Sequence, residues 1–201
     1  MLFRSSGRVI VAGRERQIRS PRDAVAAGIA LVPEDRQRAG LARSLPVSHN
    51  TTMAHLGAVS RWGFLRLNAE QALTMDYAAR LRIRLDSPDQ PAGRLSGGNQ
   101  QKVVIARWLV RGARVFLFDE PTRGIDVGAK VEVFETMDQL ARSGAAVLMV
   151  SSELPELLQV ADRIVVMAAG RIAGELPGRT TQQEIMRLAT TMPGAAAEAS
   201  Q

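Results

Sequence analysis

The chain has 201 residues, no cysteine, and 26 basic against 20 acidic side chains, a formal net charge of +6; of the basic residues 24 are arginine and only two, Lys102 and Lys130, are lysine. A chain this long buries roughly 70% of the surface its unfolded form exposes, which suits one domain with a full core. Without cysteine there is no disulfide framework and no thiolate-held zinc or iron–sulfur site, His49 and His55 alone make no imidazole cage, no apolar run approaches the length of a membrane span, and arginines scattered along the chain with only eight aromatics make neither the basic stripe nor the stacking platform of a nucleic-acid binder.

The stretch Gly7 to Gln17 alternates polar and apolar around Val9 and Val11 and breaks at Gly13, which predicts a hairpin of two short strands. Ser20-Pro21-Arg22-Asp23 predicts a helix start, with Ser20 as N-cap and Pro21 at the first helical position; that helix ends near Gly28. Ile29 to Val32 reads as an apolar strand, left abruptly through Pro33-Glu34-Asp35-Arg36 into a polar loop reaching Gly40. From Leu45 to about Asp86 the pattern is that of an all-helical insert, with a helix opening at Asn68 whose apolar face includes Leu73, Tyr77, Ala78 and Leu81, and with His49 and His55 on its surface. A Pro-rich break over Ser87 to Pro91 precedes a further helix from Ser96, with Val104, Ile105, Trp108 and Leu109 on one face.

Val115 to Phe118 is an apolar run with charges directly after it, the pattern of a parallel strand buried on both faces. A helix over Val127 to Ser143, a strand over Ala146 to Val150, a helix from Pro155 to Val160 and a strand over Arg163 to Met167 continue the alternation, which predicts a parallel sheet covered by helices. Thr181-Gln182-Gln183-Glu184 is a capping box for a last helix ending near Ala189. The segment from Pro193 to Gln201 carries no large apolar side chain and is expected to be disordered.

Two strings carry chemistry. Leu95-Ser96-Gly97-Gly98-Asn99-Gln100-Gln101-Lys102 stands at a helix head, where two glycines permit close backbone approach and the free amides favour an anion; the plain alternative is an ordinary Ser-Gly-Gly turn and N-cap. Further on, Asp119 and Glu120 end the strand of Val115 to Phe118, at the carboxyl end where open α/β sheets bind ligands. In a nucleotide site the first acid would hold Mg2+, through water, and the second would act on the attacking water. The alternative for these two is a strand end with solvated charges.

Together with VFLFDEPTRGID and VSSELPE, in this order and spacing, LSGGNQQK resembles the signature, Walker B, D-loop and switch region of ABC-transporter ATPases. More narrowly, GIALVPEDR over Gly28 to Arg36, the Asn-Gln-Gln after Gly98, and SSELPE over Ser151 to Glu156 resemble the second nucleotide-binding half of monosaccharide importers of the ribose, xylose and galactose type. The resemblance covers nearly all of Gly7 to Ala189. It implies an α/β nucleotide-binding domain over residues 1–192, a P-loop NTPase-like parallel sheet with a helical subdomain at about 45–112, incomplete at its N-terminus and followed by the tail 193–201.

For function the resemblance implies a translocase ATPase on the cytoplasmic face of the membrane, binding ATP and Mg2+. Its partners would be another nucleotide-binding half, two transmembrane permease subunits and, indirectly, a sugar-binding protein, with no nucleic acid. Ser96, Gly97 and Gly98 would meet the γ-phosphate of a nucleotide on the opposite half, Gln100 would be a further nucleotide-binding residue, Asp119 would serve Mg2+, Glu120 the attacking water, and Asp126 the D-loop contact across the dimer. Glu34 stands where related domains have the glutamine of the Q-loop; a carboxylate cannot donate as an amide does, so that contact is altered. Ser152 stands where active sites carry a histidine, and serine cannot be a cation, so a site built on this Walker B is expected to be weak.

A phosphate-binding loop needs a glycine followed by lysine and then Ser or Thr; Lys102 follows Gln101 and Lys130 follows Ala129, so these 201 residues contain no Walker A motif. The expectation is a chain that has lost its first core strand, phosphate loop and first helix, leaving an exposed apolar strand and helix face, inactive by itself. The alternative function is a catalytically dead module that supplies only its signature in trans, together with structural contacts.

Overall fold

The computed structural model of the protein describes residues 7–190, so the expected disordered tail lies outside the described residues. The chain divides into two compact units, one up to Val150 and one from Ser151.

The first unit opens with the expected hairpin of β1 (Val9–Val11) and β2 (Arg14–Arg16), turned by Ala12 and Gly13 at positive φ. Helix α1 (Pro21–Ala26) is capped as read: Ser20 Oγ accepts from the Asp23 amide at 3.3 Å, and the Asp23 carboxylate accepts from the Ser20 amide at 2.9 Å. Strand β3 (Ile29–Val32) follows. The polar loop after it holds one turn of π-helix over Arg36–Gly40, started by Asp35, whose carboxylate accepts from the Gln37 and Arg38 amides.

The insert is not all-helical. Between α2 (Val47–Thr52) and α3 (Leu67–Arg80) lies a tight hairpin of β4 (Ser60–Arg61) and β5 (Phe64–Leu65), with Trp62 and Gly63 at positive φ. Two-residue strands are too short to show a period of two, so the sequence pattern does not reveal them. Helix α3 buries Glu70, Thr74 and Ala78, while Leu73 and Tyr77 of the expected apolar face are only half-buried. The cause is polar: Glu70 is buried because its carboxylate accepts the Thr52 hydroxyl and lies 3.6 Å from His49 Nε2. His55 Nδ1 stands 3.2 Å from the Val110 carbonyl oxygen. Both histidines, expected on the surface, are therefore half-buried against neighbouring elements.

Helix α4 (Gly97–Val110) is buried on every side from Gly98 to Arg107, which a single apolar face did not predict. It reaches the sheet through Trp108, whose indole N–H donates to the Leu31 carbonyl at 2.9 Å. Lys102 is 1% exposed; its ammonium donates to Glu132 Oε2 at 2.7 Å and to the Arg82 carbonyl at 3.2 Å. That bond holds the Glu132 carboxyl below the ordinary glutamate range, so Glu132 is more acidic folded than unfolded. Its contribution to stability is full above about pH 4.5 and is lost as the pH falls through the lower folded value. The carboxylate is 37% exposed and its pairing correspondingly screened. Between about pH 6 and about pH 3.5, across the glutamate range, the urea midpoint of Lys102→Met should therefore fall less than that of the parent chain.

Strand β6 (Val115–Asp119), helix α5 (Val127–Arg142) and strand β7 (Ala146–Val150) complete the unit. The sheet is parallel in the order β3-β6-β7, with Val32 opposite Phe118 and Asp119 opposite Val150. Ala30, Val32, Phe116 and Phe118 are buried, whereas Leu31 is 52% and Leu148 and Val150 are each 57% exposed. Strand β6 is thus not covered on both faces: Phe116 and Phe118 are buried and Leu117 between them is half-buried. The expected exposed apolar strand face is present.

In the second unit, α6 (Leu154–Val160) and β8 (Arg163–Ala168) appear as read, but β8 does not extend the parallel sheet. It pairs antiparallel with β9 (Arg171–Pro177) across a turn of Ala169 and Gly170, both at positive φ. Helix α7 (Gln182–Thr190) carries the expected capping box: the Glu184 amide donates to Thr181 Oγ1 and the Thr181 amide to Glu184 Oε2. Ile164, Val166 and Ile185 form the core of this unit.

Candidate functional site

The strand end after β6 is built as a strained turn. Asp119 is exposed as the last residue of the strand, and Glu120, half-buried, donates its amide to the Val150 carbonyl at 2.9 Å. Glu120 has a φ of 44°, in the left-handed region that costs a non-glycine residue about 1–3 kcal/mol and that clusters at functional sites. Its carbonyl then accepts the Arg123 amide at 3.1 Å, and Thr122 accepts from Ile125, so the chain doubles back over Arg123 and Gly124 before α5 begins. Asp126 is the N-cap of α5, its Oδ1 accepting from the Ala129 amide at 3.0 Å.

The Ser96 hydroxyl does not cap α4. It accepts instead from Asn99 Nδ2 at 2.9 Å, while Asn99 Oδ1 accepts from the Arg84 amide at 3.0 Å. The helix head therefore carries no side-chain cap, and its first-turn amides keep the partial positive charge that favours an anion. Ser96 is exposed and Gly97 half-buried. Gly98 is buried, and a Cβ added there would stand 2.8 Å from the Ala129 Cβ, so α4 and α5 meet at a glycine where a larger residue would force one of them to shift. Gln100 is interior: its side chain is buried and Nε2 donates to the Leu95 carbonyl at 2.9 Å.

Glu34 forms an ion pair with Arg123, so its carboxylate is engaged by the loop that follows the two acids. Arg36 donates from Nη1 to the Arg123 carbonyl at 2.8 Å and from Nη2 to the Gly124 carbonyl at 3.1 Å. The first unit thus brings Glu34, the Asp119–Asp126 turn and the Ser96–Gly98 helix head into one connected group. Ser152 belongs to the second unit, where it is exposed beside Ser151, whose hydroxyl donates to Glu156 Oε2 at 3.0 Å. Sequence reasoning assigned no role to Arg36, Arg123 or Asn99. The one signal was a charged PEDR run leaving an apolar strand, and no spacing rule connects it to residues nearly ninety positions away.

Magnesium bound with nucleotide phosphates needs only one or two carboxylates from the protein. An exposed Asp119 at the strand end, with Glu120 beside it, meets that requirement.

A family model described as ABC transporter matches residues 2–123, more than half of the chain. The chain belongs to the ABC transporter family. Among curated relatives, the ribose import ATP-binding protein RbsA of Jannaschia sp. (strain CCS1) is 50% identical over 182 residues, covering 90% of this chain and 35% of that one. RbsA of Corynebacterium glutamicum is 48% identical over 187 residues, covering 92% of this chain and 36% of its own length. The chain spans about a third of the length of these relatives. A nucleotide-free ATP-binding cassette from an ABC transporter superposes with a TM-score of 0.72 at 22% identity, covering 96% of this chain and 76% of that one. The ADP conformation of MJ1267, an ATP-binding cassette of an ABC transporter, gives 0.70 at 21% identity, covering 98% and 78%. The fold is that of an ABC cassette: a parallel sheet, a largely helical insert, and the signature helix between them.

Proposed function

We propose that this chain is part of the ATP-hydrolysing subunit of a monosaccharide ABC importer of the ribose, xylose and galactose type. It works in a composite dimer with another nucleotide-binding half, docked on two transmembrane permease subunits at the cytoplasmic face of the membrane and served indirectly by a sugar-binding protein. The observation that carries this reading is the uncapped Ser96–Gly98 helix head held against the loop that follows Asp119 and Glu120. In it Ser96, Gly97 and Gly98 contact the γ-phosphate of a nucleotide seated on the opposite half. Asp119 would hold Mg2+ through water, the ion would supply charge neutralisation to the phosphates, and Glu120 would orient and deprotonate the attacking water. Asp126, whose Oδ1 caps α5, makes the D-loop contact with the other half. With serine at position 152 and Glu34 paired to Arg123, the site served by this Walker B is slower than one with histidine and glutamine at those positions.

The test is ATP turnover by the full-length protein assembled with its permeases. Glu120→Gln should lower turnover at least about tenfold, below the usual contribution of a general base because the switch position is weak. Turnover equal to the parent's would leave the chain supplying only its signature in trans.

A further inference from the structure

Arg36 is 6% exposed, yet the bonds its guanidinium makes go to two backbone carbonyls, those of Arg123 and Gly124. Its Nε is buried with no hydrogen-bond partner. Burial pushes its pKa down, partly offset by Asp35. An apolar side chain would fill this space without desolvating a charge, so stability alone does not account for an arginine here. Two glycines are shaped around it. A Cβ on Gly97 would stand 2.6 Å from Arg36 Nη2 and 3.4 Å from the Gly124 carbonyl oxygen, and a Cβ on Gly40 would stand 3.1 Å from the Arg36 Cβ. The π-turn of Arg36–Gly40 wraps the stem, and the head of α4 closes on the fork.

We propose that Arg36 is a positioning residue that locks the Arg123–Gly124 loop and the Gly97 helix head into one register. The planar fork holds two successive carbonyls at once, and its upper surface is the floor on which Gly97 rests. With Glu34 paired to Arg123, the Pro33–Arg36 segment holds that loop by a side-chain ion pair and by two backbone bonds. The catalytic meaning of this register rests on the proposed ATPase reading; the register itself does not.

Amide hydrogen exchange of the 201-residue chain tests it directly. Arg36→Lys keeps the charge but replaces the fork by a point donor. Exchange should rise at least about tenfold at the hydrogen-bonded amides of Arg123 and Ile125 in the loop and of Gln100 at the helix head, and stay unchanged in the β4–β5 hairpin and in α7. Gly97→Ala, whose methyl displaces the guanidinium from the other side, should loosen the same two segments. In an Arg36→Met background, which keeps the buried bulk, Gly97→Ala should add less than about twofold, because the group it displaces is gone. Unchanged exchange in Arg36→Lys, an increase spread evenly over the chain, or a full Gly97→Ala effect in the Arg36→Met background would each overturn the proposal. In the full-length transporter Arg36→Lys should lower kcat with little change in KM for ATP. If exchange responds as expected and turnover does not, the lock stands and the ATPase reading of this site fails.

Discussion

Asn50→Ala should destabilise the first unit by about 3–5 kcal/mol, a large share of the about 5–15 kcal/mol that holds an ordinary domain folded. Asn50 is fully buried in α2 and both ends of its amide are in use. Nδ2 donates to the carbonyls of Ala42 at 2.9 Å and Pro46 at 3.0 Å; Oδ1 accepts from the Ala42 amide at 2.9 Å and from Arg107 Nη2 at 3.1 Å. Arg107 also donates from Nε to the Asn50 carbonyl at 2.7 Å. Arg107 is itself buried, and desolvation lowers its pKa to about 10. Alanine at position 50 leaves a buried cation short of an acceptor and strips the loop before α2 of its anchor. The urea midpoint measures the cost. Arg107→Met in the Asn50→Ala background should recover part of it, because removing the stranded charge is favourable once its acceptor has gone. A double variant no more stable than Asn50→Ala would show that the loss lies in the loop anchor alone.

Gly98→Ala should cost about 1–3 kcal/mol in stability and, on the proposed ATPase reading, about a hundredfold in ATP turnover by the full-length protein. The added methyl meets the Ala129 Cβ at 2.8 Å, and neither helix yields easily: Gly98 is inside the buried length of α4, and Ala129 is tied through its amide to the Asp126 cap. Relief must come from sliding the signature helix off α5, which moves Ser96 and Gly97 by a distance comparable to the overlap. Ala129→Gly removes the opposing methyl at a cost of at most about 1 kcal/mol by itself. The double variant should therefore show a favourable coupling of about 1–2 kcal/mol and regain turnover. Independent, additive losses would mean that Gly98 matters for its backbone conformation and not for its contact with α5.

Asn50, through Arg107, and Gly98, through Ala129, both fix how α4 is seated, and that seating is the part of the fold least legible in the sequence. Its apolar period suggested a helix with one inner face, whereas ten consecutive residues from Gly98 to Arg107 are buried, Asn99, Gln100, Gln101, Lys102 and Arg107 among them. A polar residue in the interior looks in sequence like a polar residue on the surface, because its partner is distant along the chain: Glu132 for Lys102, Asn50 for Arg107, Thr52 for Glu70. The same blindness put His49 and His55 on the surface. The strands of the insert hide because two residues show no period, and the antiparallel β8–β9 pair hides because the residues of one strand do not name its pairing partner.

What the chain determined by itself was local and periodic: the Ser20 and Thr181 caps, the apolar strands at Ile29 to Val32, Val115 to Phe118 and Ala146 to Val150, and the order of LSGGNQ, FDEP and SSELPE that carries the family resemblance. Such features depend on neighbours within a few positions, where hydrogen-bonding geometry and hydrophobic period act directly. Only the tertiary structure decided that Arg36 lies under Gly97, that Glu34 pairs with Arg123, and that Gly98 is glycine because of Ala129. These contacts join segments about thirty to ninety residues apart, and they exist because parallel pairing of β3 with β6 sets the segments after both strands at the same end, where the head of α4 meets them and α5.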